Sequence, residues 1–386
     1  MTKVVPKEEI FSQTGIQFMS LNTSTQLFSM VLNNSSQLSI VKSILMIPDY
    51  LNYLLSGVKS TEYSIATTTQ LYNPLKKNWA NNLIKKLGLQ PEWFCRLIEP
   101  GTILGTLQDY IIDEVGLDEN IKVIAPLCHD TGSAVAAVPV DMDKYKNEEW
   151  AYLSSGTWSL LGVELEKPII SEKALKYNFS NEGGIGGTYR FLKNITGLWL
   201  IQECKKIWDK ENFNFSWEII EELTMDAEPF QFFINPNEKI FLNPPNMIKA
   251  IRQYCKSQYN KFPETIGEIS RVIFESLALN YKHVLNIIED TIQKEVKILY
   301  IIGGGSQNSI LNQFTSNALN LIVNAGPIEA TAIGNILVQA LALGKIDSVS
   351  ELRTIVRSSF PIKEYLPKET NKWEKAYDSY LRIIEP

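Results

Sequence analysis

The apolar run Lys297–Ile302 stops at Gly303-Gly304-Gly305, and an amphipathic stretch, Ser309–Leu319, follows it. That order reads as a buried strand, a sharp turn and a helix. A further strand at Leu321–Val323 and a helix opening near Glu329 repeat the alternation. Upstream, Thr265 and Glu268 stand at capping-box spacing before a long helix. Its apolar stripe includes Ile266, Ile269, Ile273, Leu277, Tyr281, Val284 and Ile288. Before that, Trp150–Ser154 and Ser159–Glu164 flank Gly156-Thr157 as a hairpin. The second half is therefore α/β, with glycine turns at strand-to-helix junctions, where such sheets bind ligands.

The chain through about Val140 reads mostly helical. Pro48–Ser56 carries proline in its first turn and Gly57 just past its end, and Trp79–Leu87 stops at Gly88. Val140–Trp150 is polar and reads as a linker. A length of 386 residues fits two domains or three small ones. The formal charge of −6 argues against a nucleic-acid surface, so an anionic ligand must be held by backbone amides, helix ends or a metal. The longest apolar runs are too short to span a bilayer, and Met1–Glu9 has no signal-peptide core, which makes the cytoplasm the default expectation. Four scattered cysteines and only two histidines give no zinc pattern; the thiols read as reduced and mostly buried.

Four segments could carry chemistry. Cys128-His129-Asp130-Thr131-Gly132-Ser133 opens a run of small residues that reads as a tightly packed helix. Asp130 at its entrance is either a cap or an ionised carboxylate able to take a proton from an attacking alcohol. No second Asp-(Thr/Ser)-Gly exists to make an aspartic-protease pair. Cys128 and His129, as neighbours on extended backbone, point apart and do not make a thiol dyad. Ser154-Ser155-Gly156-Thr157-Trp158-Ser159 is either an ordinary hairpin or a turn offering N–H and O–H groups to a phosphate. Gly303–Asn308 lets backbone approach a flat ligand, yet is no Rossmann fingerprint, since Asn308 stands where the third glycine belongs. Nor is there a P-loop anywhere in the chain. Leu192–Gln202 reads as an apolar helix bearing the amides Asn194 and Gln202. Glu182-Gly183-Gly184-Ile185-Gly186-Gly187 reads as a flexible hairpin.

The order of these segments carries more than any one of them. Met46–Tyr50, Ala66–Leu71, His129–Thr131, Tyr152–Ser159, Asn181–Gly184, Gly303–Asn308 and Ala325–Ala330 together resemble the FGGY carbohydrate kinases, in particular their L-rhamnulose kinase branch. The resemblance implies an α/β, actin-like ATPase (ribonuclease H-like) fold of two domains with a ligand cleft between them. Its divisions would be 1–142, the remainder of an N-terminal sugar-binding domain; 148–350, a nucleotide-binding domain; and 351–386, a helical tail. It implies ATP and Mg²⁺ as cofactors and L-rhamnulose as the sugar phosphorylated. Asp130 would be the catalytic base. His129, Thr131 and Asn194 would bind sugar, while Thr157, Gln202 and Gly304 would contact ATP.

One departure accompanies the match. The family's Asp-x-Gly-x-(Ser/Thr) phosphate hairpin and the sugar-contacting segment after it have no counterpart here. The first domain is accordingly expected to be incomplete, with uncovered apolar surface in 1–140, and the chain alone to be a poor kinase. Two alternatives follow: a non-catalytic sugar- or nucleotide-binding remnant, or one half of a split kinase completed by a separately encoded N-terminal segment.

Overall fold

A computed structural model describes residues 1–211 and 215–384. The chain forms two compact units, each assembled from three segments. The first comprises Met1–Glu148, Gly162–Lys193 and Glu329–Phe360; the second comprises Glu149–Leu161, Asn194–Ile328 and Pro361–Pro386. The sequence reading expected contiguous divisions. The strands Trp158–Leu165 and Tyr189–Thr196 each run from one unit into the other, so the units interleave along the chain. Residues 351–386, expected as a single helical tail, give part of the helix Val349–Ser359 to the first unit and Lys363–Tyr365 and the helix Thr370–Ile384 to the second.

In the second unit, Ile298–Ile302 lies between Trp150–Ser155 and Ile322–Ala325, parallel to both. Lys363–Tyr365 closes one edge antiparallel to Ile322–Ala325. All five side chains of Ile298–Ile302 are buried, as a central strand covered on both faces requires. The helix Ile266–Ile292 opens with the expected capping box: Thr265 Oγ1 accepts from Glu268 N, and Glu268 Oε2 accepts from Thr265 N. Its residues Phe274, Leu277 and Tyr281 are fully buried, each worth roughly 1.5–3 kcal/mol of transfer from water. Because neighbouring parallel strands end together, the turns after Ser155 and Ile302 lie at one edge of the sheet. That edge is the carboxyl end, the ligand-binding side of such sheets.

The first unit is mainly helical. Within Met1–Glu148 every strand of the described residues belongs to a two-stranded sheet. One core gathers Ile10, Phe28, Tyr63, Leu71, Leu83 and Trp93. The helix Ile47–Ser56 buries Asp49 and exposes Ile47, Tyr50, Leu51, Leu54 and Leu55, so its apolar side faces outward. The run of small residues is a helix, Asp130–Ala136, buried from Thr131 onward. It packs against the helix Ala330–Ala342 so closely that a Cβ on Gly334 would lie 1.8 Å from Ser133 O.

One reading is corrected. Leu192–Gln202 is not one helix: Asn194 sits in the strand Tyr189–Thr196, and Gln202 on the helix Trp199–Lys210. Gly197 separates them where its backbone is pressed against the hairpin, a Cβ there falling 2.6 Å from Gly156 O. Glu182–Gly187 does belong to a hairpin, as expected: it ends the buried strand Ser180–Gly183 and turns into Tyr189–Leu192, which pairs antiparallel to it. Gly183 lies against the Tyr63 ring, and a Cβ would approach that ring to 2.7 Å. Its glycine answers to packing, which composition alone cannot distinguish from flexibility. Among the described residues no helix is long and apolar enough to cross a membrane.

Candidate active site

In the first unit, Asp130 is the first residue of its helix and His129 the N-cap. Asp130 Oδ1 accepts from Thr131 N at 2.6 Å and from Thr131 Oγ1 at 3.3 Å, yet its side chain is 78% exposed. It lines a cavity of ≈ 480 Å³ together with Asn52, Leu127, Cys128, Ser133 and Thr331. His129 Nε2 stands 3.4 Å from Asp130 Oδ1. The other face of the ring meets a buried pair: Arg190 Nη2 is 2.8 Å from His129 Nδ1, and Glu182 Oε2 is 3.3 Å from Arg190 Nη2. Burial pushes the imidazole below its ordinary pKa; Glu182 opposes that and Arg190 adds to it. The Cys128 thiol is pushed far above its ordinary range by burial, with Glu62 and Asp49 adding, so it is no nucleophile.

The segment entering this helix is held from behind. Glu62 caps the helix Tyr63–Thr68, accepting from Ser64 N and Ile65 N, and it also accepts from Cys128 N at 2.9 Å. Ser64 Oγ donates to Glu62 and accepts from His129 N at 3.0 Å. Two successive amides before Asp130 are thus tied to buried side chains, and Asp49 Oδ1 in turn accepts from Glu62 N.

Burial pushes both Asp49 and Glu62 up to about 7. Between the ordinary carboxylate range and about 7, the native state holds protons that the unfolded chain has released. Their contribution is therefore complete below the unfolded values and is lost as pH rises through the folded ones. Each group should lower the unfolding free energy by up to ~1.4 kcal/mol per pH unit in that window. Urea unfolding across that window should show a decline that shallows in Asp49→Asn, which keeps the acceptor for Glu62 N and removes the titration. An unchanged slope would contradict this.

In the second unit, Thr157 Oγ1 donates to Gln202 Oε1 at 3.1 Å. Gly156, Gln202, Trp217, Glu221, Gly304 and Asn308 line a cavity of ≈ 490 Å³. Gly303 has φ +86°, a conformation that favours glycine, and a Cβ on Gly305 would strike Ser155 Oγ at 2.0 Å. The space beside Gly304 is open, so backbone faces the cavity there. Asn308 caps the helix Ser309–Leu319, its side chain accepting from Leu311 N. Asn194 belongs to this unit and is half-buried at the end of its strand.

His129, Asp130 and Thr131 are thus brought together in one unit, and Thr157, Gln202 and Gly304 in the other. Sequence reasoning missed Glu62, Glu182, Arg190 and Trp217. A lone arginine in the otherwise apolar Tyr189–Leu192 was the available signal for one of them.

The N-terminal domain model of the FGGY family of carbohydrate kinases matches residues 1–137, and the C-terminal domain model matches 151–343. A rhamnulokinase of Bacteroides thetaiotaomicron is 44% identical over 380 residues, covering 98% of this chain and 76% of that protein. A rhamnulokinase of Halalkalibacterium halodurans is 44% identical over 360 residues, covering 93% of this chain and 74% of its own length. Among solved structures, a xylulose kinase of Lactobacillus acidophilus superposes with a TM-score of 0.77 at 15% identity, over 98% of this chain and 74% of that one. A Plasmodium falciparum glycerol kinase with ADP gives 0.76 at 15% identity, with the same coverage. The mixed α/β, two-domain fold is that of these kinases, consistent with the actin-like ATPase architecture. With both domain models matched and relatives this similar along nearly its whole length, the chain belongs to the FGGY family of carbohydrate kinases, enzymes that phosphorylate sugars with ATP.

Proposed function

We propose that this chain transfers the γ-phosphoryl group of ATP to the 1-hydroxyl of L-rhamnulose. The observation that carries the reading is Asp130: an exposed carboxylate on a rigidly packed helix, lining a cavity, with His129 beside it. Asp130 takes the proton of the 1-hydroxyl as that oxygen bonds to the γ-phosphorus. The bond from the γ-phosphorus to its bridging oxygen breaks, and ADP departs with the bond's electrons. His129 and Thr131 hold sugar hydroxyls, and Asn194 adds an amide contact. Thr157 meets the phosphates, oriented by Gln202, while Gln202 and the open backbone at Gly304 receive the nucleotide. The rhamnulokinases at 44% identity support the choice of sugar.

Mg²⁺ in phosphoryl transfer is commonly held by phosphate oxygens with one or two carboxylates. Among the described residues no group of three or more His, Cys, Asp or Glu could hold a resident ion. Mg²⁺ would arrive with the phosphates rather than occupy a resident cluster, and no step is routed through it.

The test is a coupled ADP-release assay with the purified chain, ATP and L-rhamnulose, followed by phosphorus NMR of the product. Rhamnulose 1-phosphate is the expected product. Faster turnover on D-xylulose or glycerol would overturn the sugar assignment. Nucleotide binding with no phosphorylation of any sugar would point instead to a binding protein without turnover.

A further inference from the structure

Arg190 and Glu182 are directly opposed across the antiparallel pair Tyr189–Leu192 and Ser180–Gly183, with Arg190 wholly buried. Arg190 Nε donates to Gly183 O at 2.9 Å, which fixes the plane of the guanidinium. Nη2 then reaches His129 Nδ1 at 2.8 Å.

A guanidinium has only N–H donors and no acceptor. At 2.8 Å its partner nitrogen must therefore present a lone pair, because two N–H groups cannot face each other at hydrogen-bond distance. An unprotonated Nδ1 leaves a neutral ring with its proton on Nε2. The charged groups facing the ring are Arg190, Glu182 and Asp130, and the His129 backbone N–H is taken by Ser64 Oγ. Glu182 Oε2 also lies 3.3 Å from Nδ1 and, without Arg190, would draw a proton onto that nitrogen. The Nε2–H is left on the side of Asp130 Oδ1.

We propose that Arg190, balanced by Glu182, is a positioning residue that holds His129 as the neutral Nε2–H tautomer, so that the ring always offers a donor beside Asp130. This rests on the reading of Asp130 as the base. The locked ring directs Nε2–H to the carboxylate or to a ligand hydroxyl in contact with it. Its neutrality spares the base a neighbouring positive charge that would lower its basicity.

Ring-nitrogen NMR of the histidine-labelled chain tests the tautomer without reference to turnover. The chain has two histidines, so His129→Gln assigns the spectrum by subtraction from His283. The expected result is an unprotonated Nδ1 and a protonated Nε2 on His129 from about pH 5 to about pH 8, across the range where an ordinary histidine titrates. In Arg190→Met the ring should acquire Nδ1–H character and titrate at higher pH, and kcat/KM should fall about tenfold or more, the scale of one charge-assisted hydrogen bond. Arg190→Lys, which restores a donor, should recover part of both effects. A protonated Nδ1 in the wild-type chain overturns the proposal, and this arm does not depend on any variant folding. Unchanged ring shifts, or unchanged kcat/KM, in a folded Arg190→Met chain overturn it as well. The expected tautomer in a chain that phosphorylates no sugar would sink the kinase reading alone.

Discussion

Asp130→Asn is expected to lower kcat for sugar phosphorylation by about 10²–10⁴-fold, the contribution of a positioned general base. Asparagine keeps the size of the side chain and an oxygen to accept from Thr131 N and Oγ1, so the helix entrance need not change. It loses the ability to take a proton. The ATP dissociation constant should stay within about twofold, since surface substitutions away from a contact usually shift energies by under 0.5 kcal/mol, and the residues assigned to nucleotide belong to the other unit. Steady-state kinetics with calorimetric ATP titration separates the two effects. A variant keeping most of its turnover would mean that another group takes the proton.

Arg353→Met should cost the first unit about 3–5 kcal/mol, the usual result of removing one member of a buried ion pair. Arg353 Nη2 donates to Glu164 Oε2 at 2.7 Å, and Thr188 Oγ1 donates to Glu164 Oε1 at 2.7 Å. Both charged side chains are almost wholly buried. Removing the guanidinium leaves a carboxylate in the interior without its counter-charge, and one hydroxyl cannot replace that. Domains are stable by only about 5–15 kcal/mol, so the loss is a large fraction. Urea unfolding of the single variant and of Glu164→Gln/Arg353→Met measures it. The double variant should be the more stable of the two, because the uncompensated charge is gone. A single variant within about 1 kcal/mol of the wild type would show that the pair is solvated after all.

How much could be read from the chain depended on the range of the interaction. The strand, glycine turn and helix across Lys297–Leu319 were legible because each is set by neighbours within a few residues. The capping box at Thr265 was legible for the same reason. Asn194 was misassigned because an apolar run reads alike as strand or helix. The break came from Gly197 meeting the hairpin around Gly156, a contact absent from local sequence.

The amino-acid order alone determined the periodicities, the turns, the helix that begins at Asp130 and the succession of segments shared with a kinase family. Tertiary structure alone decided that Arg190 meets His129 across 61 positions, that Glu62 binds the amide of Cys128 across 66, and that Glu164 pairs with Arg353 across 189. Hydrophobic patterning follows from steric and solvation preferences of adjacent residues and is written locally. The partner of a buried charge is whichever group folding brings within about 3 Å, where loss of water makes that partner decisive.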